Sequence, residues 1–408
     1  MKPMEHVKVV ELSTYLAAPT AARVLAEWGA DCIKIESPQG DPARTQGAVF
    51  NMPYSDEENL AFDVANFNKR FVTLNLKSET GLEVAYKLLA EADVFVTSVR
   101  TKSLKKMGLD YETLKERFPR LVFAQVLGYG EQGPEKDSAG FDVTCYMARG
   151  GVFGTTVNRG DAPMIPTNGF GDFQVSLALA GGVASALFNR TRTGLGDKVT
   201  VSLHHAAVFA LSTGVISAQY GNPYPKSRRE VVNPFNNVYH TSDDKWVVIC
   251  CPEYDRDFNK IMRLIGREDL VDSPELSNCA QVNARGEIWK VVDVLDEAFG
   301  KMTRSEAMSL FKGADLPCES ANEPLDIYED EQCWANDILC RYPYPQGGRN
   351  FATNPVRFSS LGTPDYFSGG KQGSATEEVM AELGYTREQV DAAIAQGAVE
   401  GSKNLKRL

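Results

Sequence analysis

Residues 9–37 read VVELSTYLAAPTAARVLAEWGADCIKIES and contain the most informative pattern in the chain. The apolar run at 9–12 predicts a buried strand, and Pro19 lies near the start of the helix that the next apolar positions predict. Residues 32–35 predict a second strand, and Glu36 follows it where a dinucleotide-binding unit carries its ribose acid. The stretch therefore predicts a strand–helix–strand unit that is Rossmann-like in plan.

The turn between the first strand and the helix lacks the glycines of a dinucleotide-binding loop. Residues 13–18 read STYLAA where G-x-G-x-x-G would be expected. Close approach of a pyrophosphate to this turn is not predicted, and this counts against a nicotinamide-dependent dehydrogenase. By pattern alone, the unit could also be the first βαβ unit of any α/β protein.

Composition narrows the function classes. The chain has 408 residues, 43% of them hydrophobic, which is enough for a large core in two or three domains. It lacks an apolar run of ~18 residues and a secretory-type apolar segment, so we expect a cytoplasmic protein. The eight cysteines have no C-x-x-C spacing, and neither a metal site nor a disulfide framework is expected. The net charge of −11 argues against a nucleic-acid partner and requires a local basic cluster to hold any anion.

Such a basic cluster exists. Four cations lie within seven residues, directly after an apolar strand predicted at 94–96: Arg100, Lys102, Lys105 and Lys106. Ligands of open α/β sheets bind outside the carboxyl ends of the strands, where this segment would lie. The cluster is therefore a candidate for phosphate binding, although a solvated face of a short helix has the same composition.

The rest of the chain predicts an α/β fold with a doubly wound large domain and a smaller α+β domain. Strands and helices alternate to about residue 203, a Gly- and Pro-rich region covers 128–171, and a helix rich in small residues is predicted at 174–189. The predicted divisions are a large domain at 1–205, a linker at 206–232, a small domain at 233–325, and a linker and C-terminal segment at 326–408 that returns to the large domain.

One carboxylate stands out in TNGFGDFQ, residues 167–174. Asp172 directly precedes a helix predicted to start near Phe173, whose positive end would keep the carboxylate ionised and available as a nucleophile. The glycines before it let the backbone approach a ligand. The alternative is that Asp172 is only the N-cap of that helix.

Six stretches resemble the family III CoA-transferases, which include the formyl-CoA and carnitine CoA-transferases. They are residues 17–44, 68–81, 100–134, 140–151, 169–174 and 193–203. Within the family, the chain is similar to the clostridial enzymes that pass CoA between 2-hydroxy acids, such as phenyllactate or 2-hydroxyisocaproate, and their unsaturated acyl-CoA products. The resemblance implies that Asp172 is the nucleophile and that it passes through a mixed anhydride and an aspartyl-CoA thioester.

The resemblance also implies a coenzyme A site across the first domain, with acyl-CoA as a substrate and no permanently bound cofactor or metal. The residues that match this site are Thr14, Ala17, Arg44, Lys69, Ser98, Val99, Arg100 and Lys106. Gly150 and Gly151 are candidates for the turn that stabilises the oxyanion. Tyr146, Met147, Phe153 and Phe173 are candidates for an apolar acyl pocket, or for local packing. The family's interlocked homodimer of ring-like chains is the expected assembly.

The competing chemistry within the same superfamily is α-methylacyl-CoA racemisation. The resemblance implies that a racemase would carry a histidine base in a Gly-His-Asp motif, where this chain has Gly140, Phe141 and Asp142. Phenylalanine cannot transfer a proton, so the substitution favours a transferase. A non-catalytic acyl-CoA-binding protein remains open at this point.

Overall fold

The described strands form three sheets, of seven, three and two strands. The computed structural model describes residues 2–362 and 365–405. Twelve strands lie in these residues: β1 (Lys8–Leu12), β2 (Asp31–Glu36), β3 (Lys69–Leu74), β4 (Val94–Thr97), β5 (Val122–Leu127), β6 (Lys198–Ser202), β7 (Asn236–His240), β8 (Trp246–Cys250), β9 (Cys318–Ser320), β10 (Leu339–Tyr344), β11 (Gly347–Ala352) and β12 (Val399–Glu400).

Sixteen α-helices lie in the same described residues. They are α1 (Ala17–Glu27), α2 (Leu60–Asp63), α3 (Glu79–Glu91), α4 (Thr101–Met107), α5 (Tyr111–Arg117), α6 (Phe170–Thr193), α7 (Leu203–Ala210), α8 (Ser212–Ala218), α9 (Tyr254–Leu264), α10 (Cys279–Ala284), α11 (Trp289–Phe299), α12 (Arg304–Gly313), α13 (Asp326–Glu329), α14 (Glu331–Ala335), α15 (Thr376–Glu382) and α16 (Arg387–Ala395). A π-helical segment covers Asp142–Arg149.

The chain divides into two compact units. The first contains Met1–Val152, Ile165–Thr213 and Glu331–Leu408, and the second contains Phe153–Met164 and Gly214–Asp330. The first unit therefore includes the C-terminal segment.

The seven-stranded sheet of the first unit has the order β12-β3-β2-β1-β4-β5-β6, and β10 and β11 of the same unit pair antiparallel in a separate sheet. In the seven-stranded sheet, β1 to β6 pair in parallel, and β12 pairs antiparallel with β3. Val10 of β1 pairs with Ile33 on one side and with Phe95 on the other, and all three side chains are buried. The order runs outward in both directions from β1, which confirms the predicted doubly wound α/β fold and places its switch point between β1 and β4.

Helix α6 begins earlier than the sequence predicts. Gly169 precedes it with a positive φ of 80°, so the helix begins at Phe170 rather than near Phe173. Its length and apolar composition would also suit a membrane span. However, Val175, Leu179 and Val183 are fully buried, and the helix packs along α1. We therefore interpret α6 as a core helix of the first unit.

A buried network of charges lies beneath the carboxyl end of β1. Glu11, Lys34 and Lys69 are fully buried, and each lysine Nζ lies 2.7 Å from a carboxylate oxygen of Glu11. Burial alone would raise the pKa of Glu11, but the two lysines outweigh this effect and hold it at about 2. Lys34 also pairs with Asp41 at 3.0 Å. The network joins β1, β2 and β3 to the segment after β2.

The second unit has its own sheet and core. Strands β7, β8 and β9 pair antiparallel in that order. Its core is built from aromatic and branched side chains, including the stacked pairs Phe235–Tyr254 and Tyr239–Phe299. The mixture of short strands and helices agrees with the α+β character predicted for this region.

Removal of Glu11 tests the buried network. In Glu11→Ala, Lys34 and Lys69 lose a buried counter-charge, and we expect the free energy of unfolding to fall by about 3–5 kcal/mol. The control is Glu91→Ala, which breaks the exposed pair with Lys8 and should cost at most about 1 kcal/mol. Urea unfolding followed by circular dichroism measures the free energy of unfolding of both variants. Equal losses in the two variants would contradict the assigned role of the network.

Candidate active site

The candidate site lies at the switch point of the sheet. Thr14 follows β1 and Ser98 follows β4, and the Thr14 N–H donates to Ser98 Oγ at 3.4 Å. The two turns therefore meet where neighbouring connections diverge to opposite faces of the sheet. In open α/β sheets this crevice is the usual ligand site.

A cavity of about 410 Å³ opens at this crevice and contains Asp172. Its lining combines apolar side chains, two cations and two carboxylates, all from the first unit. The lining residues are Thr14, Tyr15, Leu16, Ala17, Ser98, Val99, Arg100, Ser103, Val126, Leu127, Gly128, Lys136, Ser138, Ala139, Gly140, Phe141, Asp142, Asp172 and Leu203.

Asp172 is the third residue of α6 and therefore lies in its first turn. The helix starts without a side-chain cap, so the interpretation of Asp172 as an N-cap is corrected by the earlier helix start. The expectation that the helix end keeps Asp172 ionised also needs correction. Burial, together with the negative charge of Asp142, raises the pKa of Asp172 from 3.8 to about 7. These effects outweigh the favourable helix dipole.

Asp142 fixes the start of α6. Its Oδ1 accepts a hydrogen bond from the Gly171 N–H at 2.9 Å. Burial raises the pKa of Asp142, and backbone N–H groups of this turn oppose that rise. A Cβ at residue 171 would lie 2.2 Å from Cγ of Tyr146 and 2.4 Å from Asp142 Oδ1. The absence of a side chain at Gly171 therefore permits the contact that places Asp172 beside Asp142.

The structure separates the predicted CoA-binding residues into two groups. Five of them line the cavity with Asp172: Thr14, Ala17, Ser98, Val99 and Arg100. Lys106 lies on the exposed face of α4, outside that lining.

Arg44 and Lys69 do not fit the phosphate contacts expected of them. Arg44 is buried, donates to both carboxylate oxygens of Glu36 at 2.8 and 2.7 Å, and lies over the Phe62 ring. Lys69 is fully buried and donates to the carbonyl oxygens of Pro19 and Ala65 in addition to its pair with Glu11. Both cations are thus held within the core, and we assign them structural roles instead.

The residues predicted for the acyl pocket and its neighbouring turn lie outside the lining of the cavity that contains Asp172. Tyr146 and Met147 are buried, and Phe173 and Gly151 are partly exposed but also lie outside the cavity lining. Gly150 packs closely enough that a Cβ would lie 2.3 Å from the Ala207 side chain. Phe153 belongs to the second unit. The assignment of these side chains to an acyl pocket stays a prediction.

Sequence reasoning missed several residues of the site. Tyr15 and Phe141 supply an aromatic wall, with ring centroids 5.8 Å apart. Lys136 and Ser138 reach the cavity from the irregular segment after β5. Their position after the carboxyl end of a parallel strand is the signal that could have indicated them.

A second cavity, of about 510 Å³, shares Thr14 and Val99 with the first. It lies at the carboxyl ends of β1, β2 and β3, and its lining includes Ser37, Asn75 and Lys77. Because they share these two residues, the cavities adjoin at the carboxyl ends of the strands, and we call the pair the extended crevice. Among the described residues, no cluster of three or more His, Cys, Asp or Glu side chains is placed to hold a metal ion.

An extended crevice at a doubly wound sheet, with a carboxylate in the first turn of a helix, suits a transferase that acts on a long nucleotide thioester. Residues 4–366 match the model of CoA-transferase family III. The chain belongs to this family. It is an enzyme that transfers CoA and uses CoA thioesters as substrates.

Two relatives extend over nearly the whole chain. Identity is 44% over 389 residues with the cinnamoyl-CoA:phenyllactate CoA-transferase of Clostridium sporogenes, covering 94% of both chains. Identity is 41% with the (R)-2-hydroxy-4-methylpentanoate CoA-transferase of Clostridioides difficile, covering 95% of this chain and 97% of the relative. A CAIB/BAIF family protein from Brucella suis has a similar crystal structure, with a TM-score of 0.78, 28% identity, and coverage of 94% and 99%.

The raised pKa of Asp172 predicts a pH-dependent cost in stability. In the unfolded chain the carboxyl titrates near 3.8, whereas in the folded protein it titrates near 7. The penalty therefore develops as pH rises between these values and is complete above pH 7. We expect Asp172→Asn to raise the melting temperature more at pH 8 than at pH 4.5. Differential scanning fluorimetry across this pH range measures the difference in melting temperature between the variant and the wild type. A difference that does not change with pH would contradict the shifted pKa.

Proposed function

We propose that this enzyme transfers CoA from a 2-enoyl-CoA to the carboxylate of a 2-hydroxy acid, with Asp172 as the nucleophile. The observation that carries the proposal is the position of the Asp172 carboxylate in a partly apolar cavity that continues into a second, nucleotide-sized crevice. The relatives whose names include phenyllactate and 2-hydroxy-4-methylpentanoate support the substrate class.

The shared crevice suits an extended CoA molecule. The cavity at the ends of β2 and β3 would take the adenosine end, where Lys77 is available for phosphate. Arg100 and Lys136 line the Asp172 cavity and would hold the pyrophosphate. Because the chain carries a net charge of −11, these local cations are needed to hold the phosphates.

The first half of the reaction loads CoA onto the enzyme. An oxygen of the Asp172 carboxylate attacks the thioester carbonyl carbon, the C–S bond breaks, and CoA leaves as the thiolate. This forms a mixed anhydride between Asp172 and the acyl group. The thiolate then attacks the Asp172 carbonyl, which releases the donor carboxylate and leaves an aspartyl-CoA thioester.

The second half repeats these steps in reverse with a new acid. The 2-hydroxy acid carboxylate attacks the aspartyl thioester, forms a second anhydride and releases the thiolate. The thiolate then attacks the acyl carbonyl of the incoming group, which yields 2-hydroxyacyl-CoA and regenerates the Asp172 carboxylate. No proton has to be transferred in any of these steps.

Two features of the site assist a weak nucleophile. Burial and Asp142 raise the pKa of Asp172, so its ionised form is a better nucleophile than an ordinary carboxylate. Helix α1 begins without a side-chain cap, and Leu16 and Ala17 at its start line the same cavity. We assign oxyanion stabilisation to the backbone N–H groups of this turn rather than to the packed Gly150.

The residues of the cavity disfavour the racemase alternative. Racemisation requires a second base, for which the sequence offers Phe141. Phe141 lines the cavity and packs edge-to-face on Tyr15, so its side chain contributes an apolar wall. An apolar wall of this kind favours an acceptor acid that carries an apolar or aromatic substituent.

We further propose that the enzyme works as a cytoplasmic homodimer. Large apolar side chains are exposed on its helices, including Phe209 of α7 at 76% and Ile216 of α8 at 56%. Exposed apolar surface of this kind is typical of interfaces.

Turnover with a panel of acids tests the proposed function. Purified enzyme is supplied with cinnamoyl-CoA and, in turn, phenyllactate, 2-hydroxyisocaproate, lactate and 3-hydroxybutyrate, and the new thioester is quantified by liquid chromatography. We expect transfer to a 2-hydroxy acid with an apolar substituent to exceed transfer to 3-hydroxybutyrate. Asp172→Asn should lower kcat by more than about 10³-fold, because the covalent route is lost.

The matched control is Asp161→Asn, which neutralises an exposed aspartate of the second unit and should retain wild-type turnover. Absence of transfer to every 2-hydroxy acid would contradict the substrate class. Full activity of Asp172→Asn would contradict the nucleophile.

A further inference from the structure

Tyr15 has an unusual backbone conformation. Its φ is +65°, in the left-handed region, which side chains with a Cβ rarely adopt. Among the described residues, the other non-glycine positions with positive φ are all asparagine or aspartate, namely Asn51, Asn68, Asp244, Asp272, Asp315 and Asp337. Those two residue types tolerate this region, whereas tyrosine does not. Tyr15 must therefore be held in place by its surroundings.

Asp41 provides that restraint. Its Oδ1 accepts hydrogen bonds from the N–H of Tyr15 at 3.1 Å and from the N–H of Ala43 at 2.9 Å. Its Oδ2 pairs with Lys34 Nζ at 3.0 Å, and the same Nζ donates to the carbonyl oxygen of Ser13 at 3.0 Å. Hydrogen bonds therefore hold the turn at two points, from Lys34 to the carbonyl oxygen of Ser13 and from the N–H of Tyr15 to Asp41.

The restraint is rigid because its members are buried. The side chains of Lys34 and Asp41 have no exposed surface, and Lys34 is anchored in turn by Glu11 at 2.7 Å. The Asp41 backbone N–H donates to Glu36 Oε1 at 3.0 Å. A buried pair of this kind is well suited to impose one conformation on the turn above it.

The conformation of Tyr15 determines where its ring lies. The direction of the Cα–Cβ bond follows from the backbone, so a return to negative φ would point the ring elsewhere. In the observed conformation the ring packs on Phe141 at 5.8 Å with an angle of 87° between the planes. Both residues line the cavity that holds Asp172. The aromatic wall therefore depends on a strained residue, as is common at functional sites.

We propose that Asp41 is a positioning residue for substrate selection. It holds Tyr15 in the left-handed conformation, and the wall that Tyr15 forms with Phe141 selects acids that carry an apolar or aromatic substituent. This inference rests on the proposed function, since it concerns the acceptor acid of the same site. Asp41 acts through the Tyr15 N–H.

The test compares Asp41→Ala, which removes the acceptor, with Asp41→Asn, which keeps an acceptor oxygen but loses the charge that pairs with Lys34. The matched control is Asp63→Ala. Asp63 is another buried carboxylate of the first unit, and it accepts from Tyr344 Oη at 2.6 Å and Ser368 Oγ at 3.0 Å, away from the turn. Each full-length variant is assayed with phenyllactate and with lactate, and its melting temperature is recorded.

The readout is the ratio of kcat/KM for phenyllactate to kcat/KM for lactate. Loss of folded protein lowers both values equally and leaves this ratio unchanged, so a purely structural role would not affect it. We expect the ratio to fall on the order of tenfold in Asp41→Ala, less in Asp41→Asn, and not in Asp63→Ala. A ratio within twofold of wild type in both Asp41 variants would overturn the proposal. If Asp41→Ala does not fold, Asp41→Asn alone decides it.

A crystal structure of the folded Asp41 variant separates this inference from the proposed function. If the wild type transfers CoA to neither acid, the proposed substrate class fails, and the backbone of residue 15 then decides the inference. A Tyr15 φ that becomes negative in the variant supports the restraint. A Tyr15 φ that remains near +65° overturns it.

Discussion

The hydrogen bond from the Gly171 N–H to Asp142 is the contact on which the candidate active site depends. It joins the π-helical segment at Asp142–Arg149 to the first turn of α6, and it exists because residue 171 has no Cβ to collide with Tyr146. The same contact brings a second carboxylate close to Asp172. The contact thus positions the proposed nucleophile, and the negative charge of Asp142 adds to the larger effect of burial in raising the pKa of Asp172.

At the turn after β1, by contrast, the buried charges are paired with opposite charges. There, full burial of Glu11, Lys34 and Asp41 fixes a turn whose residues line the same cavity as Asp172. Buried charges are costly unless they are paired, and here each has a partner. Beneath the cavity lies a charge-balanced network of two carboxylates and two lysines, whereas the Asp172 carboxylate lies within the cavity beside a second carboxylate, Asp142. Because Lys34 and Lys69 are held in this buried network, they are unavailable to the substrate.

The sequence could predict the parts of this arrangement that depend on local pattern. The doubly wound parallel sheet and the choice of Asp172 as the candidate nucleophile both follow from short stretches and from the family resemblance. The roles of Arg44 and Lys69 could not be predicted, because their burial depends on Glu36 and Glu11, which folding brings next to them. The aromatic wall also escaped prediction, since it joins Tyr15 to a residue far along the chain, Phe141. Non-local partners decide both cases.

The central claim is that the side chain of Asp172 becomes covalently linked during turnover. The most direct measurement is mass spectrometry of enzyme that is mixed with an acyl-CoA, quenched with hydroxylamine during turnover and digested into peptides. We expect a hydroxamate at Asp172, in the peptide that contains the start of α6, and we expect it to form only when the acyl-CoA is present. Modification at a different carboxylate, or an unmodified Asp172 in enzyme that is turning over, would contradict the account.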